Sequence, residues 1–125
     1  PGEWLHPRGA RTGVALLFIH GGGFIAGSPR THRSFAAWLA HRAGVAVFSL
    51  GYRLAPEHPY PAALDDCVAA VRAMRARGFR VAIGGDSAGG QLAIATALRL
   101  RAGGEALPAG LMLVCPVTDF TDASE

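Results

Sequence analysis

Two short segments carry residue types and spacings with chemistry to offer. The first is Ile83-Gly84-Gly85-Asp86-Ser87-Ala88-Gly89-Gly90, which holds Gly85-x-Ser87-x-Gly89 between an apolar run and a helical pattern. A nucleophilic serine needs that setting, because a sharp, strained turn lifts its hydroxyl above a sheet and the residues two before and two after must be small. The competing reading is that Ser87 or Asp86 simply caps the following helix, as Ser and Asp often do. The second segment is His20-Gly21-Gly22-Gly23, directly after the apolar run Val14 to Ile19. Acyl transfer builds a negative oxygen in its transition state, and preorganised backbone N–H donors stabilise it most strongly. Glycines let backbone come that close, and the N–H of the residue after the serine, Ala88, completes the pattern. The competing reading here is a flexible loop.

Gly21-x-Gly23-x-x-Ala26 also fits a dinucleotide fingerprint. That motif opens directly into a helix and has an acid ending the next strand. Here Gly27-Ser28-Pro29 interrupts, and the first acid after the run ending at Leu50 is Glu57. A phosphate-binding P-loop needs a lysine, and the chain has none. No cofactor and no metal site are expected, since Cys67 and Cys115 have neither the pairing nor the spacing of a zinc or redox site and read as two buried thiols. The net charge of +3 is all arginine. Arg72, Arg75, Arg77 and Arg80 lack interleaved aromatics, and three of them crowd a helix end where cations favour the macrodipole, which argues against nucleic-acid binding. No apolar run is long enough to span a bilayer, and no signal segment opens the chain, so a soluble, cytoplasmic protein is expected, although the first residue is Pro1 rather than Met.

The elements that must position these turns follow from periodicity. Val14–Ile19, Val45–Leu50, Arg80–Ile83 and Leu111–Cys115 are short, Val/Ile/Leu-rich and without alternation, as strands buried on both faces are. Between them, Phe35, Trp38 and Leu39 recur at helical spacing before Gly44, and Leu64, Cys67, Val68, Val71 and Met74 form a fuller stripe before Gly78. A third helix from about Ala88 to Ala102 carries Leu92, Ala95 and Leu98 toward the sheet. The β-α-β-α-β-α-β order predicts an α/β fold: a parallel sheet of about four strands with helices on both faces. Residues 1 to 13 read as the tail of an earlier strand and a loop.

With both turns placed, the chain resembles the hormone-sensitive lipase family of α/β-hydrolases, which are carboxylic ester hydrolases. FIHGGGF, YRLAPEHPYPAALDD, GGDSAGGQLA and CPVTD stand in that family's order and at nearly its spacing. The resemblance implies that Ser87 is the nucleophile and that Gly22, Gly23 and Ala88 supply oxyanion N–H groups. His20, Gly21, Gly85, Asp86 and Gly89 would shape the motifs, with His20 not the catalytic base and Glu57 and His58 only pinning a loop. It also implies that the strand before His20 lies beside the strand before Ser87. Gly51, Gln91 and the short link from Arg77 to Val81 depart from the family's pattern. More seriously, no histidine follows Ser87, and the acids available downstream are Asp119 and Asp122. In these hydrolases the triad runs Ser, acid, His. Residues 1–125 are therefore expected to be the central part of one catalytic domain, without the cap segment and the C-terminal half. The expected function is hydrolysis of a small carboxylic ester through an acyl-serine. The alternative is a non-catalytic, truncated hydrolase that binds a small molecule or a protein.

Overall fold

In a strand buried on both faces, successive side chains feed two different cores, and the assignment of each residue follows from parity alone. The computed structural model, which describes residues 1–121, shows this directly. Strand β2 (Arg11–Ile19) sends Ala15, Leu17 and Ile19 into one core and Leu16 and Phe18 into the other. Strands β3 (Val45–Leu50) and β4 (Arg80–Asp86) divide the same way. Helix α1 (Arg33–Ala43) covers the core built on Leu16, Phe18 and Val47. Helices α2 (Ala62–Ala76) and α3 (Ala88–Ala102) cover the other.

With β1 (Gly2–Leu5) and β5 (Leu111–Val114), the sheet order is β1-β3-β2-β4-β5. The expected neighbours β2 and β4 are adjacent and parallel, with Ile19 opposite Gly85. The chain leaves β2 toward β3 on one side and reaches β4 on the other, so the crevice at their carboxyl ends is a topological switch point. Among the described residues the sheet has five strands, one more than the expected four or so. The segment expected to be a strand tail is β1, which pairs antiparallel with β3 from Gly2 opposite Leu50 to Leu5 opposite Val47. β4 also extends through both glycines to Asp86, because the ladder to β5 continues to Asp86 opposite Val114.

The α2 stripe is buried as expected, and the helix closes on Gly78 in the left-handed region at φ 91°. The Phe79 N–H donates to the Met74 carbonyl and the Gly78 N–H to the Arg75 carbonyl, a Schellman closure. The other two stripes need correction. Trp38 is 56% exposed, whereas Leu39 is buried as expected, together with Ala36 and Ala40. Leu98 is 55% exposed, while α3 buries Leu92, Ala93, Thr96, Ala97 and Leu100. α3 is apolar on most sides, so its pattern does not fix its phase. Thr96 tolerates burial because its hydroxyl donates to the Leu92 carbonyl at 2.6 Å.

Cys67 is buried and its thiol is pushed up to about 12 by desolvation, but Cys115 is exposed, contrary to expectation. The arginines at the α2 end each have a separate partner. Arg72 pairs with Glu105, Arg75 donates to the Ala106 and Leu107 carbonyls, and Arg77 lies 4.9 Å over the Trp4 ring. Among the described residues no helix is long and apolar enough to cross a membrane.

The corrected phase of α3 is testable. Leu98→Ala is expected to change stability by less than about 0.5 kcal/mol. Leu100→Ala, at a fully buried position, should cost about 2–5 kcal/mol. Midpoints of urea unfolding compare the two.

Candidate active site

Ser87 joins β4 to α3 at φ 50° and ψ −117°, a conformation that L-residues rarely adopt and that costs about 1–3 kcal/mol. The turn is held from both sides. The Ser87 N–H donates to the Val114 carbonyl at 2.9 Å, and the Ser87 carbonyl accepts from Gln91 and Val117. Neither acid nor hydroxyl caps the helix. Ser87 makes no side-chain cap bond, and the Asp86 carboxylate is bound elsewhere. The half-buried Ser87 hydroxyl has no hydrogen-bond partner among the described residues and is not sealed from solvent.

The flanking glycines make this turn possible. A Cβ on Gly89 would overlap the Ile19 carbonyl oxygen, and one on Gly85 would overlap the Gly89 backbone. The first turn of α3 thus rests backbone-to-backbone on the last residue of β2, and the two glycine-rich segments are brought together.

In the second segment, side chains and backbone hold each peptide plane. A trans peptide points its C=O and its following N–H in opposite directions, so anchoring the carbonyl aims the amide. The His20 Nδ1–H donates to the Gly21 carbonyl at 2.7 Å, which fixes the Gly22 N–H. The Gly22 carbonyl accepts from Ile25 at 3.2 Å and Ala26 at 3.0 Å, which fixes the Gly23 N–H. The Ser87 carbonyl, held by Gln91 and Val117, does the same for Ala88. Among the described residues the Gly22, Gly23 and Ala88 N–H groups have no acceptor. Gly22 needs to be glycine for two reasons: its φ is 131°, and a Cβ would overlap the Ala26 carbonyl. A flexible loop does not describe this segment.

His20 is 1% exposed. Its ring stacks on Tyr52 at 4.3 Å between centroids, and the Tyr52 hydroxyl donates to the His20 carbonyl at 2.7 Å. Burial, with nearby His32 adding, holds the His20 imidazole below its ordinary 6.5 against the raising effects of the Gly21 carbonyl and Asp86. A neutral ring with its proton on Nδ1 suits the bond it makes. Asp86 joins the two turns, since its Oδ1 accepts the Gly21 N–H at 2.9 Å. Its Oδ2 lies 3.3 Å from His32 Nε2.

Sequence reasoning did not single out Tyr52 or His32, which reach the site from 32 and 54 positions away from their partners. Parity carried a signal for His32, because Asp86 must point to the α1 face if Val81 and Ile83 point to the other. The expected loop pins Glu57 and His58 are both exposed and make no side-chain hydrogen bond among the described residues. Arg53 holds that loop instead, through paired bonds to Asp66 of 2.8 to 3.0 Å and a bond to the Ala62 carbonyl. Asp119 accepts from the Thr121 N–H and hydroxyl, which keep its carboxyl below the usual range in a local turn. Asp122 lies outside the described residues. A cavity of about 360 Å³ opens beside the site, lined by Phe24, Tyr60, Leu92, Ala95 and Phe120, with Gln91 one turn after Ser87. Among the described residues no group of three His, Cys, Asp or Glu side chains is placed to hold a metal ion.

A strained serine, a glycine-rich loop beside it and a parallel sheet that switches direction between them define the α/β-hydrolase class. The family described as alpha/beta hydrolase fold matches residues 16–125, and the chain belongs to it, on the hormone-sensitive lipase branch. It is 43% identical over 121 residues to an acetyl-hydrolase of Streptomyces hygroscopicus, a match covering 94% of this chain and 40% of that protein. It is 39% identical over 121 residues to the hormone-sensitive lipase of Mus musculus, covering 91% and 16%. The crystal structure of an esterase from the bacterial hormone-sensitive lipase family superposes with a TM-score of 0.92 at 48% identity, covering 95% of this chain and 41% of that one. The chain thus spans about 40% of the length of the acetyl-hydrolase and less of the mammalian lipase.

Two outcomes follow from the geometry. Ser87→Gly relieves the backbone strain and Ser87→Ala does not, so the glycine variant is expected to be the more stable by about 1 kcal/mol in urea unfolding. The fold disfavours protonated His20, so stability present above 6.5 should be lost as pH falls below it. The unfolded chain takes up that proton first. A pH series of urea midpoints, with an NMR titration of the His20 ring, measures this.

Proposed function

We propose that the protein carrying this sequence hydrolyses small carboxylic esters through an acyl-serine intermediate on Ser87. The Ser87 oxygen attacks the ester carbonyl carbon as its proton passes to the general base of the full protein, which later gives that proton to the leaving alcohol, and the carbonyl π electrons move onto oxygen. The resulting oxyanion accepts hydrogen bonds from the Gly22, Gly23 and Ala88 N–H groups. Collapse expels the alcohol, which takes a proton, and water then cleaves the acyl-serine to release the acid.

What supports this reading is that three N–H groups without an acceptor among the described residues, each following an anchored carbonyl, lie in two turns that Asp86 and the Gly89–Ile19 contact join, one of which carries a strained serine. Preorganised donors of this kind are worth about a hundredfold to a thousandfold each in kcat. The apolar cavity beside Gln91 suits the hydrocarbon part of an ester, and the acetyl-hydrolase relative favours a short acyl group. We assign residues 1–125 to the central part of one catalytic domain. The match covers 40% of the acetyl-hydrolase's length, and on this reading the base and acid of a Ser, acid, His triad come from the rest of the full protein.

A second reading rests on one fact: no histidine follows Ser87 within the 125 residues. On it, the chain binds an ester-like molecule or a partner without turning it over. Ser87-dependent hydrolysis of a chromogenic ester by this chain alone excludes that reading.

A fluorophosphonate probe is expected to label the full-length protein at Ser87 and not its Ser87→Ala variant. Undiminished labelling of the variant overturns the assignment.

A further inference from the structure

We propose that His32 is a positioning residue for the oxyanion loop, acting through Asp86 from the opposite face of the sheet. The proposal rests on the reading that the Gly22 and Gly23 amides are the oxyanion donors.

His32 occupies the N-cap of α1, a position whose side chain ordinarily serves its own helix. Here it makes no cap bond. Its ring turns back over the end of the sheet, between Phe18 and His20, at centroid distances of 6.1 and 5.5 Å. Nε2–H donates to Asp86 Oδ2 at 3.3 Å, and Nδ1 lies 2.9 Å from the Thr31 hydroxyl. That hydroxyl is itself fixed. Thr31 Oγ1 accepts the Ser28 N–H at 2.9 Å, its single proton is within reach of both the Ser28 carbonyl and His32 Nδ1, each at 2.9 Å, and the Thr31 N–H donates to Ser28 Oγ. A small prefolded turn therefore holds one side of the imidazole while the other holds the carboxylate.

The consequence is set by the geometry of a carboxylate. Asp86 has one oxygen on His32 and the other on the Gly21 N–H at 2.9 Å. A planar group bound at both oxygens to fixed donors has a single orientation, whereas one bound at a single oxygen, and partly exposed as Asp86 is, can rotate toward water. Gly21 immediately precedes the peptide whose N–H belongs to Gly22. Its N–H is held by Asp86 and its carbonyl by His20, so both planes flanking this glycine are set by side chains. No Cβ could be present there, because it would press on the Asp86 carboxylate and carbonyl. Loss of His32 frees the carboxylate, loosens the Gly21 N–H and blurs the aim of the donors one and two residues on. Substrate binding depends on them little, since the oxyanion forms only in the transition state.

The test uses the full-length protein with His32→Ala and His32→Gln, a chromogenic short-chain ester, and hydrogen exchange at the Gly21 amide. His32→Ala is expected to lower kcat about tenfold or more with KM within about twofold, because one preorganised donor is worth more than that. His32→Gln offers an amide N–H to the same carboxylate and should recover most of the loss. The Gly21 amide should exchange faster in the alanine variant than in the other two proteins. A kcat for His32→Ala within about twofold of wild type, a change confined to KM, or no rescue by Gln at equal thermal stability overturns the proposal. If wild type shows no Ser87-dependent turnover, the ester-hydrolase reading falls. Gly21 exchange then decides the link alone: faster exchange in His32→Ala supports it, and unchanged exchange overturns it.

Discussion

The structure turns on the contact between the first helical turn after Ser87 and the carbonyl of Ile19. No side chain intervenes, because Gly89 has none to offer. Interiors are packed closely enough that a single methyl group cannot be absorbed at such a point. This contact brings the strand ending in His20 and the strand ending in Asp86 to a fixed offset. It also seats the helix N-terminus beside the glycine-rich loop.

Around that contact the local conformations are costly, and their neighbours keep them in place. Ser87 is strained, and the end of β5 with the segment after it clamps it: Val114 accepts its N–H, Val117 donates to its carbonyl, and Pro116 packs against Gly90. The glycine loop would be entropically free in isolation. Here every carbonyl that orients a candidate donor is held, by His20, by Ile25 and Ala26, or by Gln91 and Val117. A site that must offer amides to a transient charge cannot let those amides bond to the protein itself. The fold meets that requirement by satisfying the opposite end of each peptide unit.

The errors in reading the sequence share one cause. Leu98 and Trp38 lie at helical spacing with core residues, but the phase of a helix that is apolar on several sides depends on which neighbours it meets. The opening segment reads as a strand tail, but its antiparallel place in this sheet is set by the edge that β3 offers it. Cys115 sits past the end of β5 with φ 45°, in a turn where its thiol faces outward. Arg53, rather than the neighbouring Glu57 or His58, secures its loop because Asp66 lies on the facing turn of α2.

The amino-acid sequence alone determined the alternation of buried strands and helices, the place of the α2 stripe and the two glycine-rich turns. Those features are written in local periodicity, steric allowance and short-range spacing, each legible within a dozen residues. Only the tertiary structure decided the antiparallel fifth strand, the phase of α1 and α3, and the links from Tyr52 to His20 and from His32 to Asp86. Such links join residues far apart in the chain, and no local pattern encodes them. They exist because the sheet places β2 between β3 and β4 and so brings the two turns to the same end.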